Sequence, residues 1–139
     1  MVDKPKLDQM LANLGGFIAV LEGLAAIAKT EFLADVHKIG SAKYHFVVGI
    51  ECCIDIANHI IASENFRFPK DNAEGFTVLA ERGIIPAGLE EPLRGMARFR
   101  NRLIHLYWDI DDERVHAYLQ DSLGDMERFR AAVMGHAWH

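Results

Sequence analysis

Hydrophobic residues recur along this chain with the 3.6-residue period of an amphipathic helix, and no stretch sustains the two-residue alternation of a strand. Leu7, Met10, Leu11, Leu14, Phe17, Ile18, Leu21, Leu24 and Ala25 share one face and predict a first helix over residues 5–29. Gly15 and Gly16 interrupt it. A glycine costs up to ~1 kcal/mol in a helix interior, so either the helix bends there or something packs closely. Thr30 can cap a short helix that ends near Gly40, and Ser41 reads as the cap of a long one running to about Ser63. The apolar stripe of that long helix is Tyr44, Val47, Ile50, Ile54, Ala57 and Ile61.

Residues 65–70 read as a connector closed by Pro69. Asp71 and Glu74 then resemble a capping box, opening a short helix with Phe76, Leu79 and Ala80 that stops at Gly83. Pro92 suits only the first turn of a helix, so a central helix starts at Glu91 or Pro92 and runs to about Trp108. Asp111, Asp112 and Glu113 favour the start of a last helix, with Val115, Tyr118, Leu119, Leu123, Met126 and Val133 on its stripe. The pattern predicts an all-α, up-and-down helical bundle in which residues 1–139 form a single domain.

Composition changes little in this picture. Half the residues are apolar and a quarter charged, which is ordinary for a globular domain. The net charge of −5 gives no global sign of nucleic-acid binding, so such a function must rest on a local patch. Residues 94–105 supply one, with four arginines and no acid. The first ten residues lack a signal-peptide pattern, and the apolar run over 17–27 is broken by Glu22 and too short to span a bilayer. No membrane association is expected. Cys52 and Cys53 are adjacent in an apolar helical run and should act as small buried hydrophobes; nothing suggests an oxidising compartment, which points to the cytoplasm.

At about 100° per residue, the central helix sorts its residues sharply. Met96, Phe99, Leu103 and Leu106 make an apolar face. Arg94, Arg98, Asn101, His105 and Asp109 lie opposite, with Arg102 at the edge. Arg100 joins neither group and projects with Leu93, Ile104 and Tyr107 on the flank of the apolar stripe. An arginine there must be paired, snorkelling or at a protein interface. Arg100 and His105 stand about 140° apart. To serve one phosphate, the arginine must reach around the helix or a second protomer must complete the pair. Cleaving RNA without a metal needs a base for the 2′-hydroxyl proton and an acid for the leaving oxygen. One histidine cannot be both at once, but a two-fold dimer brings two.

Several of these signals have plainer readings. A histidine near a helix end is usually structural or solvated, and Arg94, Arg98 and Arg102 alone could be a solvated face. Glu51, Asp55 and His59 recur every fourth residue, but two acids and one imidazole on one helix are a weak metal signal. They fit better as partners for Arg100 or Arg102. No metal and no cofactor is expected. His136 and His139 sit near the end of the chain and receive no role.

Arg100, four residues, His105, one residue and Tyr107 resemble the R-x4-H-x-Y motif of the HEPN superfamily, in its HepT-like toxin branch. The sequence FRNRLIHLYWDID over 99–111 is similar to that branch almost throughout, including the polar Asn101 after the arginine. IECCIDIANHII (50–61) and GFTVLAERGIIP (75–86) resemble its second long helix and the helix before the active one. The resemblance covers residue 41 to the end, and the first helix matches only in type.

The resemblance implies a homodimer acting as a metal-independent endoribonuclease toxin of a type II/VII-like toxin–antitoxin system, with its site in the dimer cleft. In that reading His105 is the general base or acid and Arg100 stabilises charge on the scissile phosphate. Asn101 and Arg102 support the pair, and Arg94 and Arg98 bind RNA phosphates. Tyr107 is where such toxins can be adenylylated (AMPylated) by a cognate nucleotidyltransferase (MNT-domain) antitoxin, the implied partner beside the RNA substrate. The alternative is a HEPN dimer that keeps the motif but serves as a nucleotide-binding or scaffolding partner of the nucleotidyltransferase.

Overall fold

A computed structural model of the chain describes residues 1–138, with Tyr107 described by its backbone alone. Among the described residues all regular structure is helical. The helices are α1 (Lys4–Ala25), α2 (Lys29–Leu33), α3 (Val36–Ser63), α4 (Asn72–Glu81), α5 (Glu90–His105), α6 (Asp112–Asp121) and α7 (Leu123–Gly135), with 3-10 turns at Ala87–Leu89 and Tyr107–Asp109.

The amphipathic stripe of α1 is buried as expected, from Leu7 to Leu24. The helix runs on through both glycines, and a close neighbour explains only one of them. A Cβ on Gly15 would lie 3.0 Å from the guanidinium of Arg130, whose Nε donates to the Leu11 carbonyl at 2.9 Å. Gly16 is exposed, with nothing within 4 Å of a Cβ built there. Gly16→Ala should therefore stabilise the protein by about 0.5–1 kcal/mol, read as a rise of a few degrees in thermal midpoint. Gly15→Ala, which must displace Arg130, should not.

The long helix starts earlier than Ser41. Its cap is Asp35, whose carboxylate accepts from the backbone N–H groups of His37 and Lys38, leaving Gly40 and Ser41 inside the helix. Asp35 satisfies two orphan donors at once and outcompetes the serine. The result is a 28-residue α3, long and apolar enough by composition alone to cross a membrane. Here that apolarity serves the core: α1, α4, α5, α6 and α7 all pack against it. Phe46 of α3 meets Phe99 of α5 edge-on at 5.6 Å, and Phe99 lies flat on Tyr118 of α6 at 3.6 Å.

The cap of α4 is Asp71, accepting from the Glu74 N–H at 2.7 Å. Glu74 reaches instead to the Lys70 N–H, so the capping box is half-formed. Gly83 ends α4 at φ 71°, with Ile84 N–H bonded back to Leu79 and Gly83 N–H to Ala80, the pattern that asks for glycine. Asn65 does the same for α3 at φ 55°, with Phe66 N–H on the Ile61 carbonyl.

The first helix ends at Ala25 rather than at residue 29, and the short helix after it holds Thr30 inside and ends at Leu33 rather than near Gly40. Two later boundaries differ as well. The central helix ends at His105, because Leu106 leaves helical geometry (φ −129°, ψ 40°) and a 3-10 turn follows. Leu106 kept the apolar period going in sequence, yet it is 41% exposed, and Trp108 beyond it is 81% exposed, while Ile110 is the residue that turns into the core. The single last helix is two, α6 and α7, broken at Ser122. Cys52 and Cys53 are free thiols on α3; burial pushes Cys52 up to about 11 and Cys53 well above the usual thiol range, so both are packing groups.

Candidate functional site

Outside its buried face α5 carries Arg94, Arg98, Arg100, Asn101 and Arg102, and the buried face explains why it sits still. Leu93, Met96, Ala97, Phe99 and Leu103 are all in the core. Glu90 and Glu91 occupy its first turn, where acids suit the helix dipole, and Arg102 and His105 its last.

Arg100 is paired, one of the three arrangements its position allowed. Its side chain is 18% exposed and its Nη2 forms an ion pair with the Glu51 carboxylate of α3. Its Nη1 donates to the Asn101 Oδ1 at 2.9 Å, and its Nε is buried with no hydrogen-bond partner. The guanidinium is thus held between two helices at a fixed orientation. Asp55 stands one turn along α3 from Glu51. Burial, and then the negative charge of Glu51, raise its carboxyl above the usual range, against the pull of Arg100. Two carboxylates and one arginine therefore share a surface cluster, and His59 completes the row with a buried, unpartnered Nε2.

The sign of the Asp55 shift makes a testable statement. A carboxyl raised in the folded state holds its proton better there than in the unfolded chain, so its ionisation weighs against folding as pH rises through the carboxylate range. Asp55→Asn should raise the thermal midpoint at neutral pH, and the advantage should vanish below about pH 4. A gain that persists at low pH would mean the shift is not its origin.

The other arginines divide between two sides. Arg94 donates to the Thr77 hydroxyl at 2.7 Å, which donates in turn to Glu90 at 2.7 Å. Arg98 pairs with Glu91, which also lies 3.7 Å from Arg94. Arg94, Arg98 and Asn101 line one wall of an open groove of about 530 Å³, and residues 71–73 at the start of α4 line the other. Arg102 turns toward α6. With Arg114 and Arg98 it opposes the burial that raises the Tyr118 hydroxyl, and its own Nε is buried without a partner.

His105 closes α5 with its side chain exposed. Asn101 is brought to Arg100; Arg102 has no hydrogen bond to it. Tyr107 begins the 3-10 turn beyond the helix end, so projecting it on an ideal helix with Arg100 does not apply. Its side chain lies outside the described residues, as does His139. Sequence reasoning missed Thr77, Glu90 and Glu91 as partners of the basic face. The three- and seven-residue spacings from Glu91 to Arg94 and Arg98 could have shown two of these pairs; Thr77 left no signal. Among the described residues no group of three or more His, Cys, Asp or Glu could hold a metal ion.

Comparison with known proteins gives the chain a family. Residues 14–133 match the family described as ribonuclease HepT-like. The chain belongs to that family. A relative named mRNA nuclease HepT, from Shewanella oneidensis, is 35% identical over 79 residues, which cover 57% of this chain and 59% of the relative. The chain thus matches about three fifths of that relative's length.

Among solved structures, the tri-AMPylated Shewanella oneidensis HEPN toxin in complex with MNT antitoxin superposes with a TM-score of 0.86 at 26% identity, over 98% of this chain and all of that one. The cytosolic protein YutE of Bacillus subtilis, of unknown function, has a TM-score of 0.84 at 15% identity over 96% of this chain and 89% of its own, which shows a shared fold. The HEPN character expected of the bundle is thereby established.

Proposed function

We propose that this protein is a metal-independent endoribonuclease toxin that works as a homodimer, with Arg100 and His105 of the two protomers meeting in the cleft between them. The observation that carries this reading is the fixed, half-buried Arg100, held by Glu51 and Asn101 on the same helix that ends in an exposed His105. A buried, unsatisfied Nε on a half-buried arginine is costly to keep, and a phosphate would repay it. His105 of one protomer takes the proton from the ribose 2′-hydroxyl, and the 2′-oxygen attacks phosphorus. The bond to the 5′-oxygen breaks, and His105 of the partner subunit protonates that oxygen. The products are a 2′,3′-cyclic phosphate and a free 5′-hydroxyl, so atoms and charge balance without a cofactor.

Arg100 stabilises the charge that builds on the non-bridging oxygens, with Asn101 and Arg102 in support. Arg94 and Arg98 lie along the groove where flanking phosphates would run. The partner is a nucleotidyltransferase antitoxin of the MNT kind, which would silence the toxin by adenylylating Tyr107, in the cytoplasm where its RNA target is. The AMPylated Shewanella oneidensis toxin in complex with its MNT antitoxin supports this reading.

A second reading has an observation in its favour: Glu51 already neutralises Arg100, as it would in a dimer that only scaffolds or binds nucleotides for the nucleotidyltransferase. Incubating purified protein with RNA in excess chelator, beside Arg100→Ala and His105→Ala, separates the two. Decay by the wild type alone supports the enzyme; equal decay in all three sinks it.

A further inference from the structure

Phe68 lies on the connector between α3 and α4 and is 93% exposed, the most exposed large hydrophobic side chain described. Water-exposed aromatic rings usually sit on loose segments, but this one does not. On one side Asn65 is set by its helix-ending turn. On the other, Arg67 is clamped by Glu74 and Glu81, with three contacts of 2.9 Å, and the Lys70 N–H bonds to Glu74 at 3.2 Å. Phe66 beneath is covered by the Arg82 guanidinium at 4.5 Å. The ring is therefore presented on an anchored frame, with its hydrophobic area unused by the fold.

Phe68 borders a groove of about 670 Å³, whose lining residues include Asn58, Asn65 and Asn72. Asp71 and Asn72 also line the basic groove of Arg94, Arg98 and Asn101, so the two grooves share a wall. That second groove reaches the proposed site through the Asn101 bond to Arg100. A strand whose phosphates follow the arginines would carry its bases past Phe68.

We infer that the Phe68 groove is a nucleobase site: one base flanking the cut stacks on Phe68, and its edge is read by the amides of Asn58 and Asn72. This rests on the ribonuclease reading and names its substrate contact. An aromatic face takes any base, whereas an amide offers one donor and one acceptor side and so discriminates between base edges. The site would thus set where the RNA is cut as well as how tightly it binds.

The test uses the homodimer of this chain and labelled single-stranded oligoribonucleotides with each of the four bases at the positions flanking the cut. Phe68→Ala should raise KM about tenfold with kcat within a factor of about three, and Phe68→Trp should restore KM. Asn58→Ala with Asn72→Ala should flatten the preference among the four bases. Unchanged KM and preference would overturn the assignment. So would an unchanged KM with loss of binding to the co-expressed nucleotidyltransferase, which would make the groove a protein-docking surface. Wild-type protein that leaves every RNA intact in chelator would sink the ribonuclease reading, and the nucleobase site with it. Cutting indifferent to Phe68 would sink the nucleobase site alone.

Discussion

His105→Ala is expected to slow RNA cleavage about 10²–10⁴-fold and to leave the thermal midpoint within about 2 °C. The side chain is exposed at the end of α5 and its removal opens no cavity. Arg100→Ala should slow cleavage by a similar factor, but with a cost to the fold. It would leave Glu51 and Asp55 facing each other without the cation between them. Removing one partner of a fully buried ion pair costs 3–5 kcal/mol; this pair is partly exposed, so about 1–2 kcal/mol is expected.

Arg100→Lys keeps the charge and should recover most of that stability. It should not recover the rate, because an ammonium cannot present the planar fork that grips two phosphate oxygens. A lysine variant with wild-type rate would show that point charge alone suffices at this position. His105→Ala that still cuts at the wild-type rate would remove the histidine from the chemistry.

Phe99→Ala is expected to be the most destabilising single truncation on α5, at about 3–5 kcal/mol, or roughly 10–20 °C in thermal midpoint. Phe99 is 2% exposed and joins three helices: flat on Tyr118 of α6, edge-on to Phe46 of α3. Aromatic pairs of this geometry add to the loss from burial alone. Because Arg100 is the next residue, the variant should also lose activity below its melting point. Chemical-denaturant midpoints with an unchanged slope would confirm that the native fold is what weakens. A loss under 1 kcal/mol would mean the cluster repacks around the gap.

How much of this could be read from the residues depends on where the information sits. The stripe of α1, the Asp71 cap and the Gly83 stop were legible because they are local: period, side-chain reach and backbone freedom are properties of a few neighbouring residues. Arg100 as a paired residue was legible for the same reason, since its projection put a cation where the helix buries itself. Which acid would meet it could be narrowed only to the Glu51, Asp55, His59 row, because the match depends on how α3 and α5 cross. The end of α5 was misread for a physical reason. Leu106 and Trp108 are hydrophobic but lie on the surface, and hydrophobicity alone cannot tell a core position from an exposed one. The cap of α3 was misplaced because two residues competed for the role, and Asp35 satisfies more donors than Ser41.

The break at Leu106 gives the chain a division of labour along its length. Arg100 and His105 belong to one rigid rod, so their spacing is fixed by helical rise and admits no insertion or deletion between them. Residues from Leu106 to the cap at Asp111 belong to a turn. Length changes and bulky attachments there can be absorbed by the backbone without altering the distance between the two polar groups. A regulator acting on this turn could therefore be gained, lost or exchanged in the course of evolution while the helix beside it kept its chemistry intact.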